Sequence, residues 1–327
     1  MLAFTLRRLA SVVPVLFGVS ILVFLMVHLT PGDPVRLLLG EDAEPADVER
    51  LRAAYGFDRP LPVQYLLWLQ RALTGDFGIS IRHQEPVLTL IAGHIGATVE
   101  LAVASLVVAV LLGIPLGVLA AVRRNGPVDL ACLVIALVGV SMPNFWLGMV
   151  LLAYLAVEID LLPIAGRGPP LLDALGELLR TGRPGALLDA VRFLLLPAVA
   201  LGTAVMAVVM RLTRSNLVEA LGEDYIRTAR AKGVSEWNVV YRHALRNSLL
   251  AVVTVVGLSF GALLGGAVVT ETVFSWPGLG RLLVDAIRQR NFPVVQAGVL
   301  LVAFLFVLVN LLVDLSYAWL DPRIRYD

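Results

Sequence analysis

The sequence contains one cysteine, Cys132, which excludes an intrachain disulfide framework and any all-cysteine metal site. It lies in an apolar run and reads as a small packing residue. Histidine is scarce as well: His28, His83, His94 and His243 stand at no metal-ligand spacing, and no metal site is expected. The chain has no GxxxxGK[ST] string, hence no phosphate cradle of that kind and no ATPase activity expected of its own. HExxH and GxSxG are missing too, and no Ser–His pair falls at comparable depth in facing apolar runs, so no catalytic residue is nominated. There is no basic tail and the net charge is +1, with arginines spread among loops, so no nucleic-acid partner is expected. The centres of the apolar runs are nearly free of ionisable groups, His28 and Glu100 falling near ends. Carriers coupled to protons or sodium place several such groups at the midplane, which argues against a self-powered carrier. No internal repeat or low-complexity stretch is present.

What the chain has in abundance is apolar length. Hydrophobic residues make up 58% and the mean hydropathy is +0.85, against about 45–50% apolar residues in soluble domains. Six runs reach the roughly 20 residues that span a bilayer: 9–29, 97–121, 130–157, 194–213, 249–271 and 294–318. Each must be helical, because lipid offers the backbone no hydrogen-bond partner. The fold expected is therefore an all-α membrane protein with six transmembrane helices. Pro14, Pro115, Pro143 and Pro197 lie in or at these spans and are tolerated where neighbours re-satisfy the freed carbonyls. Arg7 and Arg8 before the first run could mark a signal peptide, but no small-x-small cleavage site follows, so an uncleaved first helix is expected. With the N-terminus inside, the 26 Lys and Arg divide evenly between the two sides, while the inside segments total about half the length of the outside ones. Charge density then places both termini in the cytoplasm.

Residues 30–96 carry structure of their own. Pro45 can open a helix with Val48, Leu51 and Tyr55 apolar, and Pro62 another with Leu66, Leu67, Trp68 and Leu73. Gly75 to Gly78 make a turn. Gly113-Ile114-Pro115-Leu116-Gly117 reads as a kinked packing helix. Asn144, inside Ser141-Met142-Pro143-Asn144-Phe145-Trp146, either lines a pathway or ties two helices together; Met142, Asn144 and Gly261 are the translocation-path candidates. Gly257, Gly261 and Gly265, spaced by four, more readily serve close helix contact. Residues 158–193 hold a possible short helix at Leu171 to Leu179 and nothing that suggests chemistry. Trp276 suits the interfacial aromatic belt, Pro277-Gly278 a turn, and Arg281 to Arg290 a short amphipathic helix. Asn310 and Asp314 share the last span, where Asp314 can pair with Arg323 or Arg325.

The most distinctive stretch is Gly222 to Leu250, charged by Arg227, Arg230, Lys232, Arg242, His243 and Arg246 between two apolar runs. Tyr225 to Lys232 has good helix formers and about two turns of length. Gly233 supplies the residue that most easily ends a helix in the left-handed region. Ser235 can cap a second short helix, Glu236 to Arg246, with Glu236 at its positive end. A helix–Gly–helix elbow at a membrane surface is a shape another protein can grip.

RTARAKG, Arg227 to Gly233, followed by His243-Ala244-Leu245-Arg246, resembles the cytoplasmic EAA loop of ABC-importer permeases. Ala229, Gly233 and Leu245 match that pattern; Arg227 and Thr228 replace its Glu and first Ala, and His243 and Arg246 its Ile and Pro. DYIRTARAKG, YGFDRPLPVQYLLWL, GDFGIS, ETVFSWPGLG and the terminal LDPRIRY are similar to the dipeptide, oligopeptide and nickel permease branch, so the resemblance covers nearly the whole chain. It implies a first helix (1–29), an extracytoplasmic insert (30–93), a five-helix type I importer domain (94–318) containing the coupling loop, and a cytoplasmic tail (319–327). It implies Asp224, Tyr225, Arg227, Thr228, Ala229, Arg230, Ala231, Lys232 and Gly233 as ATPase-docking residues. Within them Ala229 and Ala231 would allow close approach, and Arg227, Arg230 and Lys232 would steer acidic surfaces. Glu271, Phe274, Trp276 and Pro277 become candidates for an extracytoplasmic gate. The implied partners are a second permease, two ATPase subunits that bind ATP-Mg in place of any cofactor of this chain, and an external solute-binding protein. All sit at a bacterial or archaeal inner membrane. The implied cargo is di- or oligopeptide, with nickel chelate, glutathione or oligosaccharide as alternatives and a secondary transporter as a remoter one.

Overall fold

The computed structural model describes residues 2–30, 33, 35–36, 44–55 and 57–320. Among them the regular structure is helical, with one isolated antiparallel bridge between Ile79 and Pro86. The helices are α1 (Leu2–Leu29), α2 (Pro45–Tyr55), α3 (Leu61–Leu73), α4 (Val87–Val122), α5 (Pro127–Ser141), α6 (Asn144–Leu151), α7 (Leu171–Thr181), α8 (Gly185–Gly222), α9 (Asp224–Ala231), α10 (Leu245–Gly266), α11 (Val268–Val273), α12 (Leu279–Arg288) and α13 (Phe292–Leu320). Five helical stretches are long and apolar enough to cross a membrane, and a sixth if the bent pair α5 and α6 counts as one span. The expected all-α membrane fold is borne out. The terminal tail, the side chains of Leu51, Tyr55 and Asp314, and the Asp314 pairing with Arg323 or Arg325 lie outside the described residues.

The chain divides into two compact units. The first comprises residues 1–98 and 277–311. Its apolar centre joins Val87, Leu90 and Ile91 at the start of α4 to Leu279, Leu282 and Ala286 of α12 and Val294, Val295 and Ala297 of α13. The helices expected at Pro45 and Pro62 are present, each with its proline in the first turn, where the missing N–H costs nothing. Helix α3 packs on α1 through an aromatic group, Phe24 with Tyr65 and Trp68, and through Ser20 Oγ to Tyr65 Oη at 2.7 Å. Gly75 (φ +80°) and Gly78 (φ +79°) make the expected turn possible, since both take the left-handed conformation. Buried Asn291 then donates to Ser80 Oγ at 2.8 Å and fixes the segment that follows.

The second unit comprises residues 99–276 and 312–325. Its axis is α8, many of whose side chains are buried. Helix α4 meets it at bare backbone. A Cβ on Gly113 would stand 2.9 Å from Met206 O, one on Gly117 2.7 Å from Met210 O, and one on Gly202 2.5 Å from Ser105 O. Small residues at these positions let backbones approach to dispersion range. Gly113 and Gly117 therefore belong to a packing helix, as expected. The stripe Gly257, Gly261, Gly265 makes the close helix contact its spacing suggests at Gly257, where a Cβ would stand 2.7 Å from Val313 Cγ2 of α13, and not at Gly265. Gly261 is buried, and the space around Gly265 is open.

Three further expectations are corrected. The run 130–157 is not one straight span: α5 and α6 meet at 104°. Pro143 cannot donate an N–H and bars the preceding residue from helical dihedrals, so Met142 sits at φ −81°, ψ 127°. The fifth span ends at Gly266, and α11 is a separate short helix. Trp276 is not an interfacial aromatic: it is 1% exposed, with the Arg167 guanidinium 5.7 Å from its ring centre.

Candidate functional site

The stretch 222–250 forms an elbow whose bend is chemically defined. Helix α9 stops at Lys232, and Gly233 follows at φ +75°. Gly233 N donates to Arg230 O at 2.9 Å and Val234 N to Ala229 O at 3.2 Å. These two bonds make a Schellman closure, and Val234 and Ala229 both pack on the apolar cluster around Ile226. A residue with a Cβ is strained at this φ, although nothing crowds the position. The bend expected at Gly233 is thus present.

The second arm differs from expectation. It is no isolated helix ending at Arg246. A turn at Glu236–Asn238 passes through a π-helical stretch, Val239–Ala244, directly into α10. The membrane-crossing part, from residue 249 on, therefore continues the elbow without a joint. Ser235 precedes this arm but makes no side-chain cap; its Oγ accepts from Asn238 Nδ2 at 3.1 Å.

The elbow is held to the second unit by its apolar face. Ile226 is fully buried among Val118, Ala121, Leu217, Val239, Val240 and Ala244. Full burial of such a side chain contributes about 1.5–3 kcal/mol. Ala229 packs on the same cluster, so of the two alanines expected to allow outside approach only Ala231 is exposed. Asn247 Nδ2 donates to Tyr225 Oη at 3.2 Å and ties α9 to α10.

The cations expected to steer partners are partly engaged at home. Arg230 spans the bend to Glu236, with Nη2 to Oε1 at 2.6 Å and Nε to Oε2 at 3.1 Å. That hydrogen-bonded guanidinium holds the Glu236 carboxyl below its ordinary pKa. Arg227 pairs with Asp224 at 2.7 Å, both well exposed. Lys232 is exposed, with no carboxylate within 4.0 Å among the described residues. Thr228, also exposed, bonds back to Asp224 O at 3.0 Å. All nine nominated residues thus lie on one short helix and its bend. Sequence reasoning missed Trp237, 68% exposed, whose ring lies 4.0 Å from that of Tyr241. Two aromatics four residues apart on a helix were the available signal.

Of the gate candidates, Glu271, Phe274 and Trp276 lie together in the second unit, Trp276 N donating to Glu271 O at 2.8 Å, and Pro277 belongs to the first. Phe274 is buried in a cluster with Ala156, Leu196 and Ala200 and lies against Gly148. Glu271 is fully buried in the same unit, while Pro277 is exposed. Loop 158–193, expected to be inert, supplies the contacts here. Arg167 pairs with Glu100 and sits over Trp276, Leu171 N donates to Glu100 Oε1 at 2.9 Å, and Gly166 N donates to Phe274 O at 2.9 Å. The signal was Glu100, a carboxylate in an apolar run that needs a cation. Met142 and Asn144, both half-buried, flank the break between α5 and α6, and the Asn144 amide makes no side-chain hydrogen bond among the described residues. No cluster of three metal-ligating side chains occurs among the described residues.

Residues 113–326 match the family described as binding-protein-dependent transport system inner membrane component, and residues 1–102 match its N-terminal companion. The chain belongs to this family. It is a multi-pass inner-membrane permease subunit of an ABC transport system. Such permeases include the dipeptide transport system permease protein of Escherichia coli K12, 48% identical over 337 residues, covering 100% of this chain and 99% of the relative. The Alkalihalophilus pseudofirmus dipeptide permease is 43% identical over 333 residues, with both chains fully covered. The E. coli K12 glutathione transport system permease is 45% identical over 326 residues, again with both fully covered. The resemblance to the peptide-permease branch is borne out. A chain of the inward-facing MetNI methionine ABC transporter shares the fold, with a TM-score of 0.53 at 18% identity, covering 72% of this chain and 97% of that one.

Proposed function

We propose that this permease carries short peptides, delivered by an external solute-binding protein, along a path shared with a second permease, and that two separate ATPase subunits power it by binding ATP-Mg. Dipeptide and glutathione permeases among the relatives support peptide cargo. The elbow carries the coupling reading. Its tip is polar and exposed, its back is anchored by Ile226, and its second arm runs unbroken into a membrane-crossing helix. Such a part transmits a push instead of absorbing it. Closure of the ATPases on ATP would carry the elbow and tilt α10, and access would switch because ATP binds one arrangement better than the other.

On this reading Ala231, Lys232, Gly233 and the exposed sides of Asp224, Tyr225, Arg227 and Thr228 meet the ATPase. Arg230 and Ala229 keep the elbow's shape. Residues 222–250 and both termini face the cytoplasm, and residues 30–93 and Glu271 to Pro277 lie on the opposite side. Asn144, Met142 and Gly261 remain the path candidates and Glu271, Phe274, Trp276 and Pro277 the gate candidates. The test is peptide uptake and ATP hydrolysis by the reconstituted complex carrying Gly233→Pro. Proline fixes φ near −65°, opposite in sign to what the bend uses. Loss of uptake with normal membrane insertion is expected; wild-type uptake would remove the coupling assignment.

A further inference from the structure

Helix α3 carries its polar and apolar faces the wrong way round for water. Leu66, Leu69 and Leu73 recur at intervals of three and four and share one face. That face is open: Leu66 is 61% and Leu73 80% exposed. Gln64, Trp68 and Arg71 lie on the opposite face and line an internal cavity. A water-facing helix turns its leucines inward and its amides outward. The 13 residues of α3 are too few to cross a bilayer, and an apolar segment of that length is either a buried core helix or an interfacial one. The bare leucine face rules out the core helix.

The depth of α3 follows from its contacts with α1. The apolar stretch Ala10–Leu29 has 20 residues, about 30 Å of helix, which matches the hydrocarbon thickness. Its ends therefore mark the two hydrocarbon boundaries. Tyr65 packs edge-on against Phe24, with ring centres 5.4 Å apart, and its hydroxyl lies 2.7 Å from Ser20 Oγ. The Trp68 ring lies 5.8 Å from that of Phe24. Phe24 and Ser20 precede Leu29 by five and nine residues, about 8 and 14 Å along the axis. The middle of α3 thus sits below the boundary, at the level of acyl chains. Its polar contacts suit that place, because lipid offers such groups no partner. Ser20 Oγ gives its proton to Phe17 O and accepts that of Tyr65. Gln64 donates to Phe57 O and Arg59 O, and its Oε1 accepts from His28 Nε2 at 2.9 Å.

We propose that α3 is embedded in one leaflet of the bilayer, with Leu66, Leu69 and Leu73 among phospholipid acyl chains. On the topology given above this is the outer leaflet, so the segment 30–93 is not wholly in water. The lipid-facing surface of α1 continues onto α3, since Phe17, exposed on the span, lies against Tyr65 with ring centres 6.1 Å apart. All of these contacts belong to the first unit.

The experiment reads depth in the intact complex, with partner permease and ATPases present, in phosphatidylcholine–phosphatidylglycerol nanodiscs. An NBD fluorophore is attached at Leu66→Cys or Leu73→Cys in a Cys132→Ala background, with Glu49→Cys of α2 as the water-facing control. Doxyl-labelled phosphatidylcholine should quench NBD at 66 and 73 at least threefold more than aqueous iodide does, and the order should reverse at 49. Stronger quenching by iodide at 66 and 73 would overturn the proposal, since the face would then meet water. Quenching by neither would overturn it as well, because a partner subunit would cover the face. Iodide quenching that falls only when the binding protein is added would assign the face to that protein instead. The wild-type complex supplies a check independent of any variant's folding: a diazirine-bearing phosphatidylcholine should crosslink to residues 61–73 as well as to α1 in mass-spectrometric mapping. Adducts on α1 with none on 61–73 would sink the proposal. Neither peptide nor ATP enters these measurements, so their failure leaves the transport reading intact.

Discussion

Two ion pairs in the second unit use the same chemistry at opposite burial. Asp129, 3% exposed, takes a two-pronged grip from Arg214, Nε to Oδ1 and Nη2 to Oδ2 both at 2.6 Å, and its Oδ2 also accepts from Asn125 N at 2.9 Å. Arg230 and Glu236 form a comparable fork in the open, with side chains 43% and 61% exposed. The first pair pins the start of α5 to α8, with Asp129 out of reach of water and Arg214 only 22% exposed. The second staples the elbow's two arms, where water can replace a lost partner. Burial, not geometry, therefore decides what each pair is worth: breaking a buried pair costs about 3–5 kcal/mol, while an exposed one contributes about 0–1 kcal/mol.

Asp129→Ala should show the largest effect, a loss of up to about 3–5 kcal/mol in thermal or denaturant unfolding of the purified complex, because Arg214, 22% exposed, loses both prongs of its partner where little water can replace them. A loss under 1 kcal/mol would mean that water reaches the pair and that the contrast is wrong. Ile226→Ala comes next, costing about 2–5 kcal/mol where it anchors the elbow. ATPase activity should persist in that variant while peptide uptake drops, a split that Asp129→Ala does not predict. Gly202→Ala forces a methyl onto Ser105 O and should cost about 1–3 kcal/mol by overpacking. Arg230→Ala closes the series below about 1 kcal/mol. The pH dependence follows in sign: Glu236 has a depressed pKa, so its contribution is present above the ordinary glutamate pKa and is lost as pH falls through the lowered one. Arg230→Ala should abolish that acid-side dependence of elbow protection in hydrogen exchange.

The parts of this fold that depend on local chemistry could be read from sequence. Gly233 marks the bend because few other residues accept φ +75°, and the prolines at 45 and 62 open α2 and α3 because a first-turn proline loses no hydrogen bond. The nine elbow residues were found together for the same reason: they are contiguous. What escaped depends on partners distant in the chain. Arg214 and Asp129 are 85 residues apart, and Arg167 and Glu100 67, so neither pair leaves a periodic trace. Trp276 suited a membrane interface until loop 158–193 folded Arg167 over it. Pro143 was ambiguous in kind, since a proline inside an apolar run can bend a span slightly or break it; here the chain turns by 104° at it. Arg230 was legible as a cation but not as a staple, because its acid lies across the bend.

The coupling account turns on which side of the membrane the elbow faces, and the sequence offers a direct probe: Lys232 is the chain's only lysine. A membrane-impermeant amine reagent should label Lys232 in inside-out vesicles and leave it unlabelled in intact cells, with added ATPase subunits protecting it. Labelling of Lys232 from the outside of intact cells would contradict the account.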